Sequence, residues 1–214
     1  MLTIYGCFRS RASRPLWLLA ETGTAYRHVP VIQSYRLADP GAADAPIHTA
    51  SPAFLAVNPQ GQIPAMDDDG LVLTESLGIT LYLSKRYGGD LGPRDLGEDA
   101  LFEQWALVAA TAVETPALEI QQAPAGDEGA ARRAAAAQKL RRPFARLDHL
   151  LGQRDYLVGG RFTAADICMA ECVRYAMGDT ALMAEFPALS AWIARLHARP
   201  GFQAMWAARL AEPA

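Results

Sequence analysis

The sequence predicts an α+β protein in which a mixed sheet covered by helices precedes an all-helical domain. Short apolar runs alternate with helical patterns through the first 86 residues, an order typical of a sheet packed under helices. A Gly- and Pro-containing stretch follows at 87–95, and no strand pattern recurs after it. We therefore expect one domain at 1–86, a linker at 87–95 and a helical domain at 96–214.

Short elements separated by turn signals make up the beginning of the chain. Residues 2–5 favour a first strand, and a helix over 15–22 should end at Gly23, because glycine readily adopts the left-handed conformation of a helix end. A second strand is expected at 26–31. A weakly patterned segment then leads to a short helix at 52–56.

Two apolar runs, 63–66 and 71–73, flank an acidic turn closed by Gly70, which predicts a tight antiparallel hairpin. Pro64 stands near the head of the first run, where a missing N–H is tolerated. The bond between Ile63 and Pro64 is a candidate for a cis peptide, since proline is the residue type at which that form occurs.

A helix is expected after the hairpin, with Glu75 and Ser76 at its N-terminus. The open backbone N–H groups of a helix start favour a ligand that carries a carboxylate. In the second half, apolar spacing predicts helices at 100–122 and 130–151. Thr163 and Asp166 have the spacing of a capping box, so we interpret Asp166 as structural.

Composition excludes several functional classes. The formal net charge is only −3 and no basic stripe is present, which argues against a nucleic-acid partner. No apolar run approaches the roughly 20 residues of a membrane span, so no membrane association is expected. The N-terminus does not resemble a signal peptide and the 3 cysteines do not suggest a disulfide framework, which favours a cytoplasmic location. The 4 histidines form no pair at helical spacing, so no metal is expected.

An ordered combination of motifs carries a family resemblance. Residues 58–64 read Asn-Pro-Gln-Gly-Gln-Ile-Pro, and residues 74–76 read Thr-Glu-Ser. Together they resemble the glutathione-binding half of the cytosolic glutathione transferases, in particular the serine-using and cysteine-using, bacterial-like members. The resemblance implies a thioredoxin-like first domain, a helical second domain, a homodimer and a role in detoxification.

The same resemblance implies which residues contact glutathione as co-substrate. Ile63 would bind the cysteinyl unit through its backbone beside the cis Pro64, while Glu75 and Ser76 would anchor the γ-glutamyl end. Gln60 and Gln62 would border the glycyl end. Many members of the family have Lys or His there, so the charge partner of the glycyl carboxylate is left open. The candidates are His48, Arg9, Arg11 and Arg14.

The loop after the first strand contains the candidate catalytic group. Residues 10–14 read Ser-Arg-Ala-Ser-Arg, which resembles the Ser-x-x-small-Arg start of the serine-using and cysteine-using branches. On this match Ser10 donates a hydrogen bond to the glutathione sulfur. Ser13 is an alternative, although it could equally cap the helix. Cys7 is another alternative, because a cysteine near a helix N-terminus can become a reactive thiolate.

The resemblance implies a transferase that activates the glutathione thiol for attack on a small hydrophobic electrophile. The electrophile would contact the helical domain, with Val108 and Thr111 as candidate wall residues. Two other functions stay open: a glutathione-dependent isomerase or reductase using the same site, and a non-catalytic glutathione-transferase-like binding protein. A serine hydrolase is disfavoured, because the sequence has no Gly-x-Ser-x-Gly motif.

Overall fold

The computed structural model describes residues 1–212, whose contacts divide the chain into two units. The first unit comprises residues 1–87 and the helix that begins at Pro200, and the second comprises residues 88–199. The first contains the sheet, while the second is built from helices, so the α+β prediction is confirmed. The placement of the last helix differs from the predicted domain division.

The first unit contains a 4-stranded mixed sheet in the order β2-β1-β3-β4. Strand β1 pairs parallel with β2 and antiparallel with β3, and β3 pairs antiparallel with β4, as the hairpin prediction requires. The elements are β1 (Leu2–Tyr5), α1 (Ser13–Thr22), β2 (Arg27–Val29), α2 (Pro52–Leu55), β3 (Ala65–Asp68), β4 (Leu71–Thr74) and α3 (Ser76–Tyr87).

Strand β2 is shorter than the run at 26–31 suggested, and its end has a local cause. Pro30 has no N–H to donate to a neighbouring strand, and pairing with β1 stops at Val29. The end of α1 follows the prediction, because Gly23 adopts the left-handed conformation there with φ 65°. Proline and glycine thus set two boundaries in this unit.

The second unit consists of helices joined by loops. Its helices are α4 (Leu96–Val108), α5 (Thr115–Gln121), α6 (Asp127–Leu151), α7 (Ala164–Val173), α8 (Thr180–Ala184) and α9 (Pro187–His197). A π-helical segment, Ala109–Glu114, joins α4 to α5 without interruption. Within residues 1–212 no helix is both long enough and apolar enough to span a membrane.

The π-helical segment explains how a proline fits inside the long predicted helix. Pro116 is the second residue of α5 and has no N–H to donate to the preceding helical turn. The wider turn of Ala109–Glu114 precedes it, and such segments accommodate a local change in hydrogen bonding. The helical backbone therefore continues past Pro116 to Gln121.

Helix α7 forms the buried centre of the second unit, and all of its residues are buried. The capping box is present as predicted: the Asp166 carboxylate accepts from the Thr163 N–H at 2.9 Å. It also accepts from the Leu157 N–H at 3.0 Å and the Trp192 indole N–H at 3.2 Å. Burial raises the pKa of Asp166 to about 6.

The last helix, α10 (Pro200–Ala211), packs on α1 within the first unit. The rings of Trp17 and Phe202 meet edge to face with centroids 4.9 Å apart. Gly201 lies so close to Glu21 that an added Cβ would be 2.6 Å from the Glu21 side chain. The close contact of α1 with α10 accounts for the grouping of this helix with the sheet.

Candidate active site

The loop between β1 and α1 makes a sharp turn at Gly6. Gly6 has φ 149°, and a Cβ on it would lie only 2.9 Å from the Cβ of Ala12. That added atom would also lie 3.6 Å from both Ile63 Cβ and Pro64 Cα. The absence of a side chain therefore lets the loop contact the start of the β-hairpin.

Ser10 has a defined orientation in this loop. Its hydroxyl donates to the Cys7 carbonyl at 2.6 Å and accepts from the Ala12 N–H at 3.0 Å. The side chain is half-buried. A hydroxyl held in this way lies at the start of α1 and has a proton that it could redirect to another acceptor.

Ser13 has a different environment from Ser10. It is the first residue of α1, the N-cap position is held by Ala12, and its side chain is fully buried. Its backbone N–H donates to the Ser10 carbonyl at 3.2 Å. Of the two serines that the sequence proposed as thiolate donor, Ser10 is therefore the one with solvent access.

Cys7 is buried, with 6% of its surface exposed, and its thiol donates to Gln33 Oε1 at 3.5 Å. Burial raises the pKa of this thiol, and the negative charge of Glu212 adds to the effect. Reactive cysteines instead have lowered pKa values and solvent access. The environment of Cys7 favours a structural thiol.

The hairpin begins with a cis peptide bond between Ile63 and Pro64, as predicted. The preceding turn is organised by Asn58, whose side chain donates to the Gln62 carbonyl at 2.7 Å and accepts from the Gln60 N–H at 3.1 Å. Within residues 1–212, the backbone N–H and C=O of Ile63 have no hydrogen-bond partner. An extended peptide could bind there.

Helix α3 begins directly after β4 at Ser76. Glu75 precedes it with φ 67°, an uncommon conformation for a residue with a side chain, and its carbonyl accepts the first helical hydrogen bond from Ile79. The Glu75 side chain is exposed, whereas Ser76 is buried. A residue keeps such a backbone conformation only where the surrounding structure holds it. Residues of this kind are found often at ligand sites.

Arg14 joins the two parts of the site, a role that the sequence analysis did not find. It lies in the first turn of α1 and only 1% of its surface is exposed. Its guanidinium donates to Ser76 Oγ at 2.8 Å. The predicted motif at 10–14 included Arg14, but the sequence did not indicate that this cation contacts the start of α3.

The sequence left open which residue pairs with the glycyl carboxylate of glutathione, and His48 was one candidate for that role. His48 is buried; its Nε2 donates to the Pro40 carbonyl at 3.0 Å and its Nδ1 accepts from the Ala50 N–H at 3.2 Å. Both ring nitrogens are therefore occupied. Gln60 and Gln62 are exposed.

The candidate electrophile residues lie in the second unit, one turn apart. Val108 ends α4 and is half-buried, and Thr111 lies exposed in the π-helical segment. The Thr111 hydroxyl donates to the Leu107 carbonyl at 2.8 Å. Among residues 1–212, no group of at least 3 His, Cys, Asp or Glu side chains has the arrangement of a metal site.

Two family models match the chain. "Glutathione S-transferase, N-terminal domain" matches residues 8–86, and "Glutathione S-transferase, C-terminal domain" matches residues 104–200. A glutathione S-transferase of Hyoscyamus muticus is 32% identical over 162 residues, which cover 70% of this chain and 76% of that one. The chain belongs to the glutathione S-transferase family. An Arabidopsis thaliana glutathione S-transferase is 30% identical over 169 residues, covering 72% and 76% of the two chains.

Solved glutathione S-transferase structures resemble the whole fold. The theta class enzyme of Xanthomonas axonopodis pv. citri, with glutathione bound, superposes with a TM-score of 0.74 at 32% identity over 95% of each chain. Glutathione S-transferase III in apo form gives 0.78 at 31% identity, covering 100% of this chain and 99% of that one. The predicted family and the predicted transferase activity are confirmed, and the isomerase, reductase and non-catalytic alternatives are not favoured.

Proposed function

We propose that this glutathione transferase binds glutathione along the β1–α1 loop, the backbone of Ile63 and the start of α3. One observation supports this above all: the loop containing Ser10 and the first turn of α1 that follows it contact the other two parts. Gly6 approaches Ile63 and Pro64, and Arg14 donates to Ser76. The likeness to a structure with glutathione bound gives independent support.

The γ-glutamyl and cysteinyl units of glutathione each have a chemically suitable partner. The γ-glutamyl carboxylate would lie at the N-terminus of α3, where open backbone N–H groups and the helix dipole favour an anion. Glu75 would bind the γ-glutamyl ammonium and Ser76 the carboxylate. The cysteinyl unit would pair with the backbone of Ile63, as a short added strand does.

Ser10 would stabilise the thiolate. An ordinary thiol has a pKa of about 8.5, so ionisation near neutral pH needs a hydrogen-bond donor and positive potential. The Ser10 hydroxyl would turn from the Cys7 carbonyl to the sulfur while still accepting from Ala12 N–H. The start of α1 would supply the positive potential. The thiolate then attacks the electrophile, and a carbon–sulfur bond forms as the leaving group departs or the double bond accepts the electron pair.

Val108 and Thr111 stay the proposed contacts of a small hydrophobic electrophile. We also propose a homodimer. Leu71 and Val72 support it, because each is 44% exposed on β4, which forms an edge of the sheet. An exposed edge strand offers its backbone for pairing with another chain, and exposed apolar side chains favour such a contact. Sedimentation showing only monomer at micromolar concentration would contradict the dimer.

Glutathione binding and conjugation can be measured separately. Calorimetry should show glutathione binding, and a panel of small aryl halides and enones should reveal conjugation. Oxidised glutathione offered at the same concentrations is the control for the free thiol. Absence of measurable binding up to millimolar glutathione would contradict the proposal.

A further inference from the structure

Arg209 near the end of α10 and Glu212 directly after it contact the loop that contains Ser10. The two carboxylate oxygens of Glu212 accept from the backbone N–H groups of Phe8 at 2.7 Å and Arg9 at 2.8 Å. The Arg209 guanidinium donates to the Phe8 carbonyl, and the Arg209 carbonyl accepts from Arg9 Nε at 3.1 Å. These residues all belong to the first unit.

Phe8 and Arg9 are the residues that connect Cys7 to Ser10, and the Ser10 hydroxyl donates to the Cys7 carbonyl. Hydrogen bonds to a carboxylate are shorter and stronger than those between neutral groups. Because each oxygen of Glu212 holds one of two consecutive N–H groups, it restricts both peptide planes of this turn. The position of Ser10 depends on those planes.

The structure on either side of this contact is itself fixed. His28 Nε2 donates to the Gly6 carbonyl at 2.8 Å, which anchors the beginning of the loop on β2. Helix α10 is anchored on α1 by the contact between Trp17 and Phe202. Glu212 therefore extends from a packed helix and holds the middle of the loop.

We propose that Glu212 is a positioning residue for Ser10, because it fixes the Phe8–Arg9 turn and so holds the Ser10 hydroxyl where it donates to the glutathione sulfur. This role rests on the proposed function of Ser10. The negative charge of Glu212 has the opposite effect on a nearby thiol, since it contributes to the raised pKa of Cys7. The effect of Glu212 on the position of Ser10 and the effect of its charge on a nearby thiol can therefore be separated by experiment.

Two variants make that separation. Glu212→Ala removes both hydrogen bonds, and Glu212→Gln removes the charge but keeps one acceptor oxygen. We expect Glu212→Ala to lower kcat about threefold to tenfold and to raise the pKa of the bound thiol by about 0.5–1 unit. The KM for glutathione should change less than about twofold, and Glu212→Gln should lie between wild type and Glu212→Ala. If both variants instead lower the thiol pKa equally without loss of kcat, Glu212 acts through charge and the proposal is wrong.

Glu185→Gln is the matched control, since Glu185 directly follows α8 and pairs with Arg141 at 2.8 Å in the second unit. It should leave kcat and the thiol pKa unchanged. Hydrogen exchange of the Phe8 and Arg9 amides, measured without glutathione, should speed up in Glu212→Ala and not in Glu185→Gln. This measurement tests the fixed turn even if wild type fails to bind glutathione, which would contradict the proposed function alone. Faster exchange with unchanged kcat and thiol pKa would overturn the positioning role.

Discussion

The starts of α1 and α7 differ in where their polar side chains lie and in what those side chains contact. At α7 the Thr163 and Asp166 side chains are buried, and the carboxylate receives hydrogen bonds from backbone, hydroxyl and indole donors. At α1 the N-cap is Ala12, which supplies no side-chain hydrogen bond, and the hydroxyl of Ser10, two residues before it, is half-buried. The start of α7 has its hydrogen bonds within the buried core, whereas the start of α1 has a half-buried hydroxyl beside it.

This difference shows how a helix start can be recognised as structural or functional. A buried capping group must have its hydrogen bonds within the protein, because unsatisfied buried polar atoms are costly. A functional helix start must leave a donor accessible, so its fixed geometry comes from other contacts. Here Arg14, His28 and Glu212 supply such contacts to the loop and to the first turn of α1.

The largest effect is expected on the stability of the protein, in a variant at the start of α7. Asp166→Ala would leave the N–H groups of Leu157, Thr163 and Trp192 without their acceptor in a buried site. We expect the free energy of unfolding to fall by about 3 kcal/mol or more, measured by chemical denaturation. Thr163→Ser keeps the capping hydroxyl and is the control. A loss below about 1 kcal/mol for Asp166→Ala would show that the box is not needed for stability.

The second-largest effect is expected on kcat, in a variant at the start of α1. Ser10→Ala removes a hydrogen bond to a charged sulfur, which contributes roughly 1.5–3 kcal/mol, so kcat should fall about tenfold to hundredfold. The pKa of the bound thiol, read by ultraviolet titration of the thiolate, should rise because the ionised form loses its donor. Ser13→Ala is the control. If it raised the thiol pKa and Ser10→Ala did not, the donor would be Ser13.

A smaller effect is expected at the start of α3. Ser76→Ala removes an anchor that binds ground state and transition state alike, so the KM for glutathione should rise about fivefold to tenfold with little change in kcat. Ser76 also accepts from the buried Arg14, so stability should be measured in the same variant. Thr80→Ser, one turn along the helix, is the control. A fall in kcat at unchanged KM would assign Ser76 to the chemical step.

The structural features that the sequence predicted correctly depend on residues close together in the chain. Pro64 and the acidic turn identified the hairpin, and the spacing of Thr163 and Asp166 identified the capping box. Turn and capping chemistry acts over three or four residues, so a single sequence displays it.

Other features depend on residues far apart in the chain. Glu212 contacts Phe8 across 204 positions, and Arg14 contacts Ser76 across 62. No local pattern records such a contact. The burial of Arg14 was missed for a further reason: a cation in a loop motif is normally exposed, and it is buried here with a hydroxyl acceptor. The motif predicted the candidate site, whereas the burial of Arg14 within it depends on the packed fold.

The smallest expected effect concerns Cys7, which lies near the start of α1 and has no part in the proposed chemistry. Its thiol is buried and donates to Gln33, and burial raises its pKa, so little thiolate should form near neutral pH. A serine hydroxyl can make the same donation. We therefore expect Cys7→Ser to change kcat and the KM for glutathione by less than about twofold.

Mass spectrometry of the wild-type protein incubated with oxidised glutathione gives the complementary measurement for Cys7. Mixed disulfide at Cys7 should be absent while the protein is folded and form after denaturation, because burial blocks access to the sulfur. Cys168 and Cys172, which are also buried, are internal controls for denaturation. Rapid mixed-disulfide formation at Cys7 in the folded protein, with activity lost in Cys7→Ser, would place the reactive group in the loop after β1 and would remove Ser10 from the chemistry.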